Sequence, residues 1–154
     1  MIVVSDPSPI TALLKIGQVD LLQRLYGEVL IPEAVRDELS VRHPKLPDFI
    51  QCVHVSNRDE VQRLRMELDP GEAEAIVLVK ERHADILLID ETDGRLVAAR
   101  EGVHFIGLMG VLTQAKHDGF ISSLRDVIQE IEAKTTFWLS EVMKISTLKS
   151  AGEL

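Results

Sequence analysis

Two aspartates stand where buried strands of the chain are predicted to end. Asp6 comes two residues after the apolar run Ile2–Val4, and Asp90 directly follows the apolar run Ile86–Ile89. In an open parallel sheet, ligands bind beyond the carboxyl ends of the strands. Both aspartates are therefore predicted to lie at the same edge of a sheet, where their side chains could serve one site.

Further acids fall on the apolar sides of predicted helices. At about 100° per residue, Glu38 lies on the side of its helix that also carries Val35. By the same count, Glu72 shares a side with Ile76, and Asp93 falls on the apolar side of the helix after the second aspartate. Acids on buried faces need a reason, because a carboxylate without a partner is costly to bury.

A divalent cation is the simplest compensation for such a cluster. Clustered carboxylates repel each other, and no group of lysines or arginines lies in these segments to neutralise them. Oxygen ligands select a hard ion such as Mg²⁺ or Mn²⁺, and such an ion suits the hydrolysis of a phosphodiester. The candidate catalytic and metal-binding residues are Asp6, Glu38, Glu72, Asp90 and Asp93.

The same acids also have structural interpretations. Asp69 and Glu72 form the pattern of a capping box, and Asp90 with Asp93 resembles a second helix cap. Ser8 is expected to cap the first helix, although its hydroxyl could also orient the nearby aspartate. Caps alone do not explain why the acids recur at strand ends and on apolar faces, so a shared site is the favoured interpretation.

The elements that must position these acids alternate along the chain. Short apolar runs predict buried strands, and helical stretches separate them, so the pattern predicts one α/β domain with a parallel sheet covered on both faces. The domain is expected to span residues 1–145, with residues 146–154 as a weakly structured tail. Glu74 is expected on the exposed side of its helix, and Cys52 is expected to be buried.

The composition excludes several classes of function. The chain has 154 residues, a net charge of -8 and 4% aromatic residues, which argues against a broad nucleic-acid binder and a base-stacking platform. One cysteine allows no internal disulfide and fits a reducing cytoplasm. No apolar run approaches the ~18 residues of a membrane span, so no membrane association is expected.

Five segments match a known family in their order along the chain. They are "VVSDPSPI", "IPEAVRDEL", "LDPGEAEAIVLV", "ILLIDETDGRLVAA" and "GLMGVLTQAKHDGFI", and they span Val3 to Ile121. On these segments the chain resembles the PIN-domain nucleases, in particular their VapC-like prokaryotic branch. The resemblance implies a three-layer α/β/α fold with a mainly parallel sheet of about five strands, whose C-terminal edge binds Mg²⁺ or Mn²⁺.

The resemblance also implies a function and partners. Relatives are mostly ribonucleases that hydrolyse RNA, and many are toxins of toxin–antitoxin pairs that are held in check by a small antitoxin protein. Many form homodimers. Carried over, Asp6 matches the aspartate of the first strand, Glu38 the helix glutamate and Glu72 the third acid. Asp90 and Asp93 match the last acidic group.

Two departures leave part of this site open. The third acid is usually Asp in the VapC-like branch and is Glu72 here, while "DETD" adds Glu91 as a possible metal contact beside its two aspartates. Glu74 is a further, second-rank candidate metal ligand, because the stretch "GEAEA" resembles the corresponding stretch of flap endonucleases. The alternative function is a PIN-like binding module that is weak or inactive as an enzyme and is regulated by a protein partner.

Overall fold

A parallel sheet of five strands forms the centre of the protein. The computed structural model describes residues 1–154. The strands are β1 (Val3–Ser5), β2 (Val29–Pro32), β3 (Ile50–Val53), β4 (Ile86–Leu88) and β5 (Phe105–Ile106). Their order across the sheet is β3-β2-β1-β4-β5, and every pair is parallel. The predicted parallel α/β architecture is confirmed.

Nine helices connect and cover the strands. They are α1 (Pro7–Lys15), α2 (Asp20–Tyr26), α3 (Glu33–Ser40), α4 (Arg58–Leu64), α5 (Pro70–Arg82), α6 (Thr92–Arg100), α7 (Leu108–His117), α8 (Leu124–Lys134) and α9 (Glu141–Ser150). None of these helices combines the length and the apolar character that crossing a membrane requires.

Each face of the sheet has its own hydrophobic core. Neighbouring residues of a strand point to opposite faces, so Val3 packs with α1, α2, α7 and α8, whereas Val4 packs with α4, α5 and α6. The aliphatic strands are buried on both faces, as parallel strands between two helical layers must be. The fold is therefore the three-layer α/β/α arrangement.

The helix α5 is buried nearly all round, and this corrects one prediction. Residues 71–79 are all buried, because α5 packs on the sheet between α3, α4 and α6. Glu74 was expected on an exposed side, yet it is only 8% exposed. Its carboxylate accepts the N–H of Ala34 (3.1 Å) and pairs with Arg58 (3.2 Å). Helical periodicity fails here because this helix has no solvent-facing side over most of its length.

Three local expectations also differ from the structure. The helix α1 begins at Pro7 with Asp6 in the N-cap position, so Ser8 lies inside the first turn and does not cap it. Cys52 is exposed on β3, which is an edge strand of the sheet. Residues 146–154 are predicted to be a weakly structured tail, but 146–150 complete α9, and Leu148 and Ala151 are buried in the same core as α7 and α8.

Candidate functional site

The topology places one crevice at the carboxyl ends of the central strands. From β1 the chain crosses first to β2 and β3 on one side and later to β4 and β5 on the other. Such a reversal of strand order is where ligands bind in open α/β sheets. Asp6 follows β1 at this point, and its backbone N–H donates to the carbonyl of Leu88 at the end of β4 (2.9 Å).

An acidic cavity of about 340 Å³ opens at this crevice. Six of its eight lining residues carry carboxylates, and none is basic or hydrophobic. We call it the acid cavity. Its lining residues are Asp6, Ser8, Glu38, Asp69, Glu72, Glu91, Thr92 and Asp93.

Most of the residues predicted from the sequence line this cavity. Four of the five candidate ligands line it: Asp6, Glu38, Glu72 and Asp93. The two additional candidates Ser8 and Glu91 also line it. The cavity does not include Asp90 or Glu74. Asp69 and Thr92 belong to it without having been predicted as site residues. The sequence identifies Asp69 only as a helix cap. Asp69 lines the cavity because α5 begins at the same edge of the sheet as the other acids. Counting helical periodicity within α5 does not show this position.

Asp6 is the most deeply buried acid of the cavity. It is 3% exposed, and its Oδ1 is buried without a hydrogen-bond partner. Burial, and then the negative charges of Glu72, Asp69, Glu38 and Glu91, raise the pKa of Asp6 to about 9. Without a cation, this carboxyl therefore keeps its proton at neutral pH.

Glu72 combines a structural role with a place in the cavity. Its backbone N–H donates to Asp69 Oδ1 (2.8 Å), and its Oε1 accepts the N–H of Asp69 (3.3 Å), which completes the capping box predicted from the sequence. Its second oxygen, Oε2, approaches α6 so closely that a Cβ added at Gly94 would stand 2.8 Å from it. Burial and the charge of Asp69 raise the pKa of Glu72 to about 7.

The outer acids of the cavity are more accessible to water. Glu38 is exposed on α3, and burial together with the charges of Asp69 and Glu91 raises its pKa. Asp93 is exposed in the first turn of α6. Glu91 accepts a hydrogen bond from the Ser8 hydroxyl (2.8 Å), which joins α1 to the start of α6. The cavity thus has a buried floor and a solvated rim.

Asp90 turns away from the acid cavity. Both of its carboxylate oxygens accept the backbone N–H of Leu108 at the start of α7 (3.0 and 3.2 Å), and Arg95 lies 3.7 Å from Oδ1. Burial raises its pKa, and the bond from Leu108 opposes that shift. Asp90 therefore holds the end of β4 against α7. Arg95 also donates to the carbonyl of Ile89 (2.9 Å).

The cavity fits a hard cation by the chemistry of its donors. No group of three or more His, Cys, Asp or Glu side chains is already arranged as a metal site. The donors are nevertheless all oxygen, no basic residue lines the cavity, and Asp6 Oδ1 has no other partner. Such oxygen sets are typical of Mg²⁺ and Mn²⁺ sites.

Comparison with known proteins identifies the family. A family model described as a PIN domain matches residues 2–153, nearly the whole chain. No curated protein and no solved structure matches the chain significantly. The matched range begins before β1, ends after α9 and includes every acid of the cavity. The chain therefore belongs to the PIN-domain family, whose fold is a nuclease fold.

Proposed function

We propose that the protein is a divalent-metal-dependent endoribonuclease that hydrolyses RNA phosphodiester bonds at the acid cavity. One observation carries the proposal: Asp6 Oδ1 is buried without a partner in a cavity that six carboxylates line and no basic residue enters. A phosphodiester is itself negative, so this cavity can receive it only together with a cation.

Asp6 and Glu72 are the residues that would hold Mg²⁺ or Mn²⁺, with Glu38 and Asp93 completing the set from the rim. When bound, the ion supplies positive charge for the phosphate and lowers the pKa of a water. The two inner acids must give up the protons that their raised pKa values retain. Asp93, exposed at the rim, would accept a proton from the water whose oxygen bonds to the phosphorus, while the P–O bond to the leaving oxygen breaks and that oxygen takes a proton from solvent.

Two residues outside the cavity take positioning roles. Asp90 was a predicted ligand, and its bond to Leu108 instead supports a role in fixing the end of β4 against α7. Glu74 accepts the N–H of Ala34 in the first turn of α3, which is the helix that carries Glu38. Both acids would then act on the site through the backbone that they hold.

Cleavage of a defined RNA tests the proposal directly. The wild-type protein should cleave it with Mg²⁺ or Mn²⁺ and should be inactive with chelator. Asp6→Asn should be inactive under all conditions. Asp48→Asn makes the same chemical change at an exposed aspartate outside the cavity, and this variant should retain full activity. Cleavage that persists both in chelator and in Asp6→Asn contradicts the proposal.

A binding module without catalysis is the second candidate, and the lack of a ready-made set of three ligands favours it. A cation bound only by the native state raises the melting temperature, so millimolar Mn²⁺ separates the two candidates. The nuclease requires an upward shift that is absent in Asp6→Asn. An inactive module that has lost its cation site shows no shift in either protein.

The family resemblance supports a biological role as the toxin of a toxin–antitoxin pair. Expression of the wild-type protein should then arrest growth, and Asp6→Asn should not. A small antitoxin protein that relieves the arrest would form a stable complex with the chain. Whether the free protein is a homodimer would be shown by its mass in light scattering. Growth that is equal for both proteins contradicts this role.

A further inference from the structure

A groove of about 660 Å³ adjoins the acid cavity. Ser8, Glu38 and Glu91 line both, so the two are continuous along the top of α1 and the start of α6. Beyond these shared residues the groove continues between α1, the end of α3 and the segment that joins α8 to α9. A chain lying in this groove would reach the acids at one end. We call it the Trp138 groove.

Trp138 is displayed at the wall of this groove by the residues around it. It is 75% exposed, whereas its neighbours Phe137 and Leu139 pack into the core. The segment is fixed at both ends: Thr135 Oγ1 accepts the N–H of Phe137 (3.0 Å), and Ser140 caps α9. The anchored segment therefore presents a large aromatic side chain to the groove.

Two basic side chains face the same groove. Lys15 ends α1 and Arg42 follows α3, and both line it. Neither takes part in an ion pair of the fold. The groove also carries the carboxylates of Glu38, Asp90 and Glu91, so Lys15 and Arg42 are the unpaired positive side chains that it offers to a phosphate.

We propose that the Trp138 groove holds an unpaired nucleotide of the substrate next to the bond that is cut, with Trp138 stacking on the base and Lys15 and Arg42 contacting the backbone phosphates. The proposal rests on the proposed function and adds to it a subsite that holds one unstacked base beside the acid cavity. Every base has a face that an aromatic ring can stack on, but a base inside a duplex has both faces occupied. One tryptophan is a single contact, not the broad stacking platform that the low aromatic content argues against.

The fluorescence of Trp138 reports on this contact, because it is the only tryptophan. A short single-stranded RNA should be titrated into the wild-type protein with Ca²⁺, another ion that prefers oxygen ligands, in place of Mg²⁺, and a gel should confirm that the RNA stays intact. Stacking predicts quenching that saturates with RNA. A long duplex that contains the same sequence should give far less quenching, since only its terminal base pairs expose a face.

Affinity measurements on variants give a second readout, by fluorescence anisotropy of the labelled RNA under the same conditions. Trp138→Ala should weaken binding about five- to 150-fold, the range for losing one base–aromatic stack. Trp138→Phe keeps an aromatic face and should recover part of the loss. If Trp138→Ala binds as tightly as its parent, the stacking assignment is overturned.

The contact of Lys15 with a phosphate can be tested against Arg82, which is also a basic residue at the end of a helix. Arg82 ends α5 and lies about 18 Å along that helix from its start at the acid cavity. Lys15→Ala should reduce the slope of log affinity against log salt by about 0.7, as expected for one phosphate contact to a single strand. Arg82→Ala should leave the slope unchanged. Equal slopes for the two variants overturn the role of Lys15.

Other outcomes separate this inference from the proposed function. RNA cleavage by the wild-type protein without any quenching of Trp138 refutes the stacking contact alone. Quenching without cleavage by the wild-type protein refutes the nuclease and supports the groove. Trp138 fluorescence that changes with protein concentration alone, with no response to RNA, makes the groove an interface between copies and overturns the proposal.

Discussion

Replacing Asp6 by Asn should stabilise the metal-free protein. Burial and neighbouring charges raise the pKa of Asp6 from 3.8 to about 9, so the folded carboxyl is protonated at pH 7 whereas the unfolded one is ionised. With pH 7 roughly 3 units above the unfolded pKa, folding the wild type costs about 4 kcal/mol in proton uptake. Asn avoids this cost but buries an amide, at about 1–3 kcal/mol. A net gain of about 1–3 kcal/mol remains.

The sign of the pH dependence follows from the same linkage. Between the unfolded pKa and the folded pKa of Asp6, the native state binds more protons, so the stability of the wild type falls as the pH rises from about 4 to about 9. Glu72, with its pKa raised to about 7, adds to the fall over the lower part of this range. At pH 5 the Asp6 cost is only about 1.6 kcal/mol, and the advantage of Asp6→Asn should disappear.

Urea unfolding in chelator at pH 7 and pH 5 measures these differences. Asp48→Asn is the control, since Asp48 is an exposed aspartate and its replacement makes the same chemical change. It should leave the free energy of unfolding unchanged at both pH values. The reasoning is refuted if Asp6→Asn is no more stable than the wild type at pH 7, because the buried carboxylate then carries no penalty that a cation could relieve.

Two further changes test how the site is held. Glu74→Ala removes the acceptor of Ala34 and the partner of Arg58, so it should lower the free energy of unfolding by about 1.5–3 kcal/mol, while Glu74→Gln should cost less; urea unfolding measures both. Gly94→Ala places a Cβ 2.8 Å from Glu72 Oε2, so the carboxylate must move. The melting-temperature increase caused by Mn²⁺ should therefore shrink in Gly94→Ala, and an undiminished increase would argue against Glu72 as a ligand.

The sheet could be predicted because its signals are local. Short aliphatic runs such as Ile86–Leu88 alternate with helices, and this pattern is typical of buried parallel strands. The acids that follow those strands or open the helices were predicted to meet for the same reason. Asp6 and Glu72 do line one cavity. These conclusions depend only on where elements begin and end.

The direction of individual side chains could not be predicted in the same way. Glu74 was placed on an open side by periodicity, but α5 packs on all sides, and a period carries no information for such a helix. Asp90 follows its strand as predicted, yet its carboxylate accepts the N–H of Leu108, which lies 18 residues later in the chain. The Trp138 groove likewise joins α1 to a segment more than 100 residues away. Long-range contacts decide such cases, and local sequence does not encode them.

Calorimetric titration of Mn²⁺ into the wild-type protein near neutral pH tests the central claim most directly. Asp6 holds a proton there without a cation, so ion binding must release it, and the measured heat should depend on the ionisation enthalpy of the buffer. The account predicts binding with release of about one proton from Asp6 and a further fraction of a proton from Glu72, and loss of both signals in Asp6→Asn. It is contradicted if Mn²⁺ does not bind at millimolar concentration, or if binding releases no proton and is the same in Asp6→Asn.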